Sequence, residues 1–459
     1  MRGSVSQAAL AAALFWGFSG GLAQAQTFEE ALAQAYATHP SLQAKRAKLR
    51  ATDELVPQAI ANWRPSVTAK TDVGKVMQES NLSNPKEQKR TYRMGQVAVT
   101  QPLFRGGKTL AATDKAEEAV LAERSSLAVT EQQVLLDAAT AYLDNLRDQA
   151  VLDLNISNEQ VLRRQLEATR NRFQVGEITR TDVSQSEARL AKSLADRVKA
   201  EGDLKVSRAV FKNLIGDAPH GLRKPSMPNS LPGNEEEAVR LAMEANPSVV
   251  LAEHTERSAR HNIDLVRGDL FPSLSVTADA NRTLRSTAYN SRTQTAEIIA
   301  TLNIPIYEGG AATYSKLREA KQTAGQRRLE IDQARRSAVE TATKAYENLT
   351  ATRARIRALD SQINAAEIAL DGVKREAEAG TRTVLDVLDS EQELLDARVN
   401  RVKSERDELV AAYSLKAAIG QLTARGLGLP VEPFDPEANY QKVRSKIFGA
   451  PVEPVDGKP

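Results

Sequence analysis

The chain is written twice. EEALAQAYATHPSL, starting at Glu29, returns as EEAVRLAMEANPSV, starting at Glu236. WRPSVTAKTDV from Trp63 returns as LFPSLSVTADA from Leu270, and QPLFRGG ending at Gly107 returns as IPIYEGG ending at Gly310. VGEITRTDVSQSEARL from Val175 matches AGTRTVLDVLDSEQEL from Ala379, and NLIG ending at Gly216 matches AAIG ending at Gly420. The offsets are 207, 207, 203, 204 and 204, always in the same order. Five matches at nearly one spacing mean that a whole unit was duplicated, so any fold must be built from two like halves. The drop of four between Pro65 and Gly106 gives the first half a longer loop there.

Each half reads alike. A helix over 27–61 or 235–269 stops at Pro65 or Pro272, where the ring denies the next turn its donor. Two extended stretches follow, 66–76 with 93–104 and 273–282 with 295–306. In the first, Val67, Ala69, Thr71 and Val73 alternate with Ser66, Thr68, Lys70 and Asp72, the period of a half-buried strand. Then come Gly-Gly and a long helix (108–174 or 311–378), a turn at Gly176 or Gly380, and a further helix (182–215 or 386–419). The two units thus span 26–216 and 235–420, joined by the proline-rich 217–234. The tail 421–459, also proline-rich, is expected either to pack as a collar or to stay disordered.

Several function classes fall away. Residues 1–25 carry Arg2, an apolar AALAAALFWGF run and Ala23-Gln24-Ala25, the pattern of a cleaved signal peptide. Beyond it no apolar run nears the ~18 residues of a membrane helix. A net charge of +3 without a Lys/Arg block leaves nucleic acid no footprint. There is no cysteine, so neither a disulfide nor a lipid on an N-terminal cysteine is expected. The four histidines form no metal or triad grouping, and His254 and His261 read as a solvated helix face. No phosphate-binding glycine loop appears, so the expectation is no enzyme, no metal and no cofactor.

What remains is long helix and short strand. A helix of some 65 residues at 1.5 Å per residue is about 100 Å long, more than any compact domain needs. A structural coiled coil of the cell envelope or a periplasmic adaptor would share such helices, but would lack the paired strands. Strands of about ten residues suit a tilted bilayer crossing, where only a closed barrel satisfies every backbone edge. Four are too few, since such barrels begin at eight. Copies of the chain must therefore pool strands; two copies reach eight and three reach twelve. Trp63, Phe104, Phe271 and Tyr307 cluster where strands meet helices, either as an interfacial girdle or as hydrophobic plugs. The fold class is mainly α with a membrane β-barrel contribution.

The duplicated helix-strand-strand-helix-helix unit, the QPLFRGG and IPIYEGG motifs and GTRTVLDVLD together resemble the TolC family of outer-membrane channel-tunnels, over most of the chain from Thr27. The resemblance implies a homotrimer in outer-membrane lipid, with a twelve-stranded barrel continuous with a twelve-helix periplasmic tunnel. It implies a periplasmic adaptor and an inner-membrane ABC or proton-driven transporter as partners, and the missing cysteine favours the branch serving type I secretion and broad efflux. It places Asp386 and Asp389 in a carboxylate ring at the periplasmic entrance. Crowded carboxylates favour cations and raise one another's pKa. Asp386 also fits a Thr383-x-x-Asp386 cap, whereas Asp389 lies beyond capping reach and its first-repeat counterpart is Gln185. Arg382 matches an arginine that latches neighbouring hairpins, with Thr181 and Asp182 as its expected partners. The family's latch tyrosine aligns near Ala377, leaving Glu378 or Arg375 to rebuild it.

Overall fold

Proline sets the first departure from the sequence pattern. A residue before proline is pushed out of the helical region, and His39 and Asn246 have ψ of 123° and 122°. In the computed structural model, which describes residues 26–79, 81, 87–307 and 311–449, the expected helix 27–61 is therefore broken at His39 and, with a second break at Glu54 that keeps helical backbone angles, becomes three: α1 (Phe28–Thr38), α2 (Pro40–Asp53) and α3 (Leu55–Ile60). The helix expected over 235–269 is likewise α6 (Glu235–Ala245) and α7 (Pro247–Arg267). Pro40 and Pro247 each take the first helical position, where the missing N–H costs nothing. The expected signal peptide 1–25, Gly309 and Gly310 of the second Gly-Gly, and the tail end 450–459 lie outside the described residues.

Between them lie β1 (Ser66–Glu79) and β2 (Glu87–Arg105), then α4 (Lys108–Gln174) and α5 (Arg180–Ile215). The second half adds β3 (Ser273–Leu284), β4 (Arg292–Asn303), α8 (Ala312–Glu378) and α9 (Val384–Ala418), and α10 (Ala438–Val443) closes the described chain. The strands have 14, 19, 12 and 12 residues, longer than the ten expected. Backbone pairing carries β1 and β2 past the end of clear alternation, to Glu79 opposite Glu87. β4 stops at Asn303 rather than 306, two residues before Pro305, which has no N–H for a ladder.

The four strands form one antiparallel sheet in the order β1-β2-β3-β4, so the two halves meet at β2 and β3 while β1 and β4 remain edges. Directly opposed residues share a face. Val67, Val99, Ala278 and Ile298 form one row, and Ala69, Val97, Ala280 and Ala296 the next. On the other face Thr68, Ala98, Asp279 and Glu297 align, followed by Lys70, Gln96, Asn281 and Thr295. One apolar and one polar surface thus run unbroken across both halves. The apolar one is bare in the single chain, with Val67 68% and Ile298 78% exposed.

α4 and α8 have 67 residues each, about 100 Å of helix. Each packs antiparallel on its partner, α4 on α5 and α8 on α9, and α9 also lies along α4. α7 bridges α4 and α8, and there His254 finds a partner while His261 stays partly open to solvent. His254 Nδ1 lies 2.7 Å from a Glu118 carboxylate oxygen, and His261 faces Asp114 at 3.9 Å.

The largest apolar core among the described residues lies along the first half of α4 and ends where α5 and α9 stop beside it. Phe28 and Tyr36 of α1, Tyr142 of α4, Phe211 of α5 and Tyr413 of α9 are buried together. Phe28 meets the Tyr142 ring edge-on at 5.2 Å, and the Tyr142 hydroxyl donates to the Arg223 carbonyl (2.8 Å), fixing the linker. The described part of the tail docks here. Leu422 and Leu429 enter the same core, the Phe434 amide donates to the Tyr36 hydroxyl (3.0 Å), and Asn439 Nδ2 donates to Asp53 (2.7 Å).

Candidate channel entrance

Both hairpin turns are built alike, because both need a reversal within five residues. Gly176 and Gly380 adopt φ of 81° and 76°, where a side chain would be strained. At the second turn the Gly380 amide donates to the Ala377 carbonyl (3.2 Å) and the Thr381 amide to Glu376 (2.9 Å). Gly176 and Glu177 repeat this with Phe173 and Arg172, both at 3.0 Å. Carbonyls at each helix end are thereby satisfied.

A capping box then opens each return helix. The Thr383 amide donates to Asp386 Oδ2 (2.9 Å), and the Asp386 amide donates to Thr383 Oγ1 (3.2 Å). Thr179 and Asp182 do the same in the first half, at 2.9 and 3.3 Å. The Thr383 hydroxyl and amide hold the Asp386 carboxyl below its ordinary value of 3.8. In the single chain that is opposite to the rise expected of a crowded ring. Asp182, the expected partner of Arg382, is likewise engaged by its own cap.

Arg382 does not reach Asp182 or Thr181 within one chain. Its Nε donates to Glu376 Oε2 at 2.9 Å, across the base of its own turn. Arg375 is paired with Asp371 (2.7 Å), and Glu376 is the carboxylate that Arg382 meets. The first turn inverts the arrangement. Arg172, the counterpart of Glu376, pairs with Glu177 at 2.9 Å. Glu376 was legible as the residue six before Arg382, but only once the turn was known to bring the two together.

Asp389 carries the contact that sequence reasoning missed. Its carboxylate accepts a hydrogen bond from Arg189 of α5, joining the two hairpins of one chain. Beside it Val384 and Leu388 of α9 pack with Leu162 of α4 and Leu190 of α5. The charges agree with this pairing. Residues 163–192 hold seven Lys/Arg against four Asp/Glu, whereas the equivalent 367–396 hold three against nine, so the tips attract. Farther from the turns the hairpins part around a groove of ≈ 600 Å³, floored by α4 and walled by α5 and α9.

At the opposite end of the hairpins the four aromatics lie where the sheet joins the helices. Trp63 ends the short 3-10 turn before β1, Phe271 directly follows the one before β3, Phe104 lies near the end of β2, and Tyr307 follows β4. All are exposed in the single chain, from 47% at Trp63 to 81% at Tyr307.

A family model for outer membrane efflux proteins matches residues 31–217 and 238–421, one segment in each half. The chain belongs to the outer membrane efflux protein family. Members are outer-membrane channels and not enzymes. This outer membrane efflux protein is 33% identical over 433 residues to the outer membrane efflux protein BepC of Brucella suis biovar 1, covering 94% of this chain and 93% of BepC. It is 30% identical over 320 residues to the outer membrane protein TolC of Vibrio cholerae, covering 68% and 73%. Its fold matches the crystal structure of the Campylobacter jejuni CmeC outer membrane channel with a TM-score of 0.77, at 12% identity, over 97% of this chain and 98% of that one.

Proposed function

We propose that three copies of this efflux protein form one exit duct through the outer membrane, reached after removal of a signal peptide. The observation that carries this reading is the sheet: four strands, one apolar face and two open edges. Unpaired edges cannot remain in lipid. Because the strands alternate in direction, β4 of one copy meets β1 of the next antiparallel, and the ring closes without a change of pattern. Closure alone permits two copies or three; likeness to the TolC family favours three, with twelve strands and twelve tunnel helices. Trp63, Phe104, Phe271 and Tyr307 then ring the barrel where it meets the tunnel. Light scattering of the protein from outer membranes, corrected for detergent, should give a trimer without covalent links. A monomer that stays inserted in bilayers overturns the reading.

The hairpin tips then form the periplasmic entrance, with Asp386 and Asp389 of each copy around it. A periplasmic adaptor and an inner-membrane ABC or proton-driven transporter would feed it, for drug efflux or type I protein secretion. Trivalent cations added from the periplasmic side should block the closed channel, and D386A/D389A should abolish block while trimers persist. Undiminished block in that variant removes both residues from the pore.

A further inference from the structure

The cations of the sheet sort by face. On the polar face each has a partner: Lys70 pairs with Asp72 (3.1 Å), Arg90 donates to Gln78 (2.8 Å) and to the Ser286 carbonyl (2.9 Å for its Nε), and Arg105 donates to Asn62. On the apolar face Arg93, Arg282 and Arg292 have none among the described residues, and all three are exposed. Their positions converge. Arg93 and Arg292 both stand opposite Leu284, on the strands either side of it, which sets them about 10 Å apart. Arg282 lies two residues along β3 from Leu284, opposite Gly95, which has no side chain to cover it. Lys75 on β1 extends the basic zone, and the next carboxylate along that strand face, Glu79, lies four residues farther out.

The zone sits at the end of the apolar rows away from the helices. Arg282 is eleven residues beyond Phe271. At about 3.3 Å per residue and a tilt of about 35–45°, that is roughly 26–30 Å of height, the thickness of a bilayer's apolar core. We infer that Arg93, Arg282 and Arg292 form a binding site for the phosphate groups of outer-leaflet lipid headgroups. Guanidinium suits the task because its fork takes two phosphate oxygens at once. Three guanidiniums at the rim of a lipid-facing surface have no partner among the described residues, and the lipid is what the surface meets. The inference rests on the barrel reading above.

The test uses the intact detergent-solubilised protein. Wild type should bind bisphosphorylated lipid A in mixed micelles and melt at a higher temperature with it than with phosphatidylcholine or inorganic phosphate. R93Q/R282Q/R292Q should bind it about a hundredfold more weakly, each cation being worth roughly fivefold at an anionic surface. The corresponding triple lysine variant should keep most of the selectivity. Equal binding by wild type and the glutamine variant overturns the site. An equal effect of inorganic phosphate or phosphatidylcholine on wild type overturns the assignment to anionic lipid, and that comparison stands even where the glutamine variant does not insert. Failure of wild type to fractionate with outer membranes would instead overturn the barrel reading.

Discussion

Arg189 and Asp389, two hundred residues apart, share a hydrogen bond that joins the first hairpin to the second. The pair is partly open to solvent, with side chains 29% and 56% exposed. Its worth is therefore that of an exposed ion pair, about 0.2–1 kcal/mol. R189A and D389A should each loosen the tip to a similar extent, and the double variant should add little to either. Spin labels placed on the two turns would read the widening. Fully additive widening in the double variant means the two side chains do not act through each other.

The Thr383 cap makes a prediction in acid. A carboxylate whose folded pKa is depressed stabilises above its unfolded value and loses that contribution as pH falls through the folded one. For Asp386 the cap should hold at neutral pH and fail only below about 3.8. A carbon-detected NMR titration of labelled Asp386 gives the midpoint, and T383A should return it upward to the ordinary range. A wild-type midpoint above 3.8 would mean that crowding among neighbouring carboxylates outweighs the cap.

Arg382 offers two arrangements that substitutions separate. If Glu376 restrains it, E376Q and R382S should raise single-channel conductance alike, and D182A should leave it unchanged. If a bond to Asp182 of a neighbouring hairpin latches the trimer, D182A should raise conductance as R382S does. Planar-bilayer recording of the three variants decides between the two.

Asp53 is fully buried beneath the tail, with Asn439 as the partner of one carboxylate oxygen and no partner for the other among the described residues. Burial raises its pKa above 3.8, against the opposing hydrogen bond from Asn439. For a raised carboxyl the sign reverses: the contribution is complete below the unfolded value and is lost as pH rises through the folded one. At neutral pH the charged form therefore costs stability. D53N keeps an acceptor for Asn439 and removes the buried charge, so it should stabilise the protein at pH 7. The gain should shrink on acidification toward pH 4. Thermal melts at the two pH values test this; a D53N protein less stable at pH 7 would mean the charge is needed.

Much of this architecture could be read before any coordinates. Duplication gave the turns at Gly176 and Gly380, and alternation at Val67, Ala69 and Val73 gave the faces of the sheet. The breaks at His39-Pro40 and Asn246-Pro247 were also in view, inside the first matched motif, but helical periodicity on both sides concealed them. Arg189 with Asp389 was not legible. Its register depends on how Leu162 and Leu190 seat Val384 and Leu388, a long-range fit that neither local segment encodes. For the tail, docking and disorder were both open, and the choice was not legible for a similar reason, since Leu422, Leu429 and Phe434 show no helical or strand period.

That docked tail bears on how the protein is made. The largest core unites Phe28 and Tyr36, near the start of the described chain, with Tyr413, Leu422 and Leu429 near its end. A core that needs both ends cannot close while the chain is still being threaded across the inner membrane. α1 and α2 must wait in the periplasm, apolar faces bare, until the last residues arrive. Contacts of such long sequence separation form late and leave intermediates open to aggregation. Secretion speed and periplasmic chaperones, more than the strength of any one contact, should then govern the yield of folded channel.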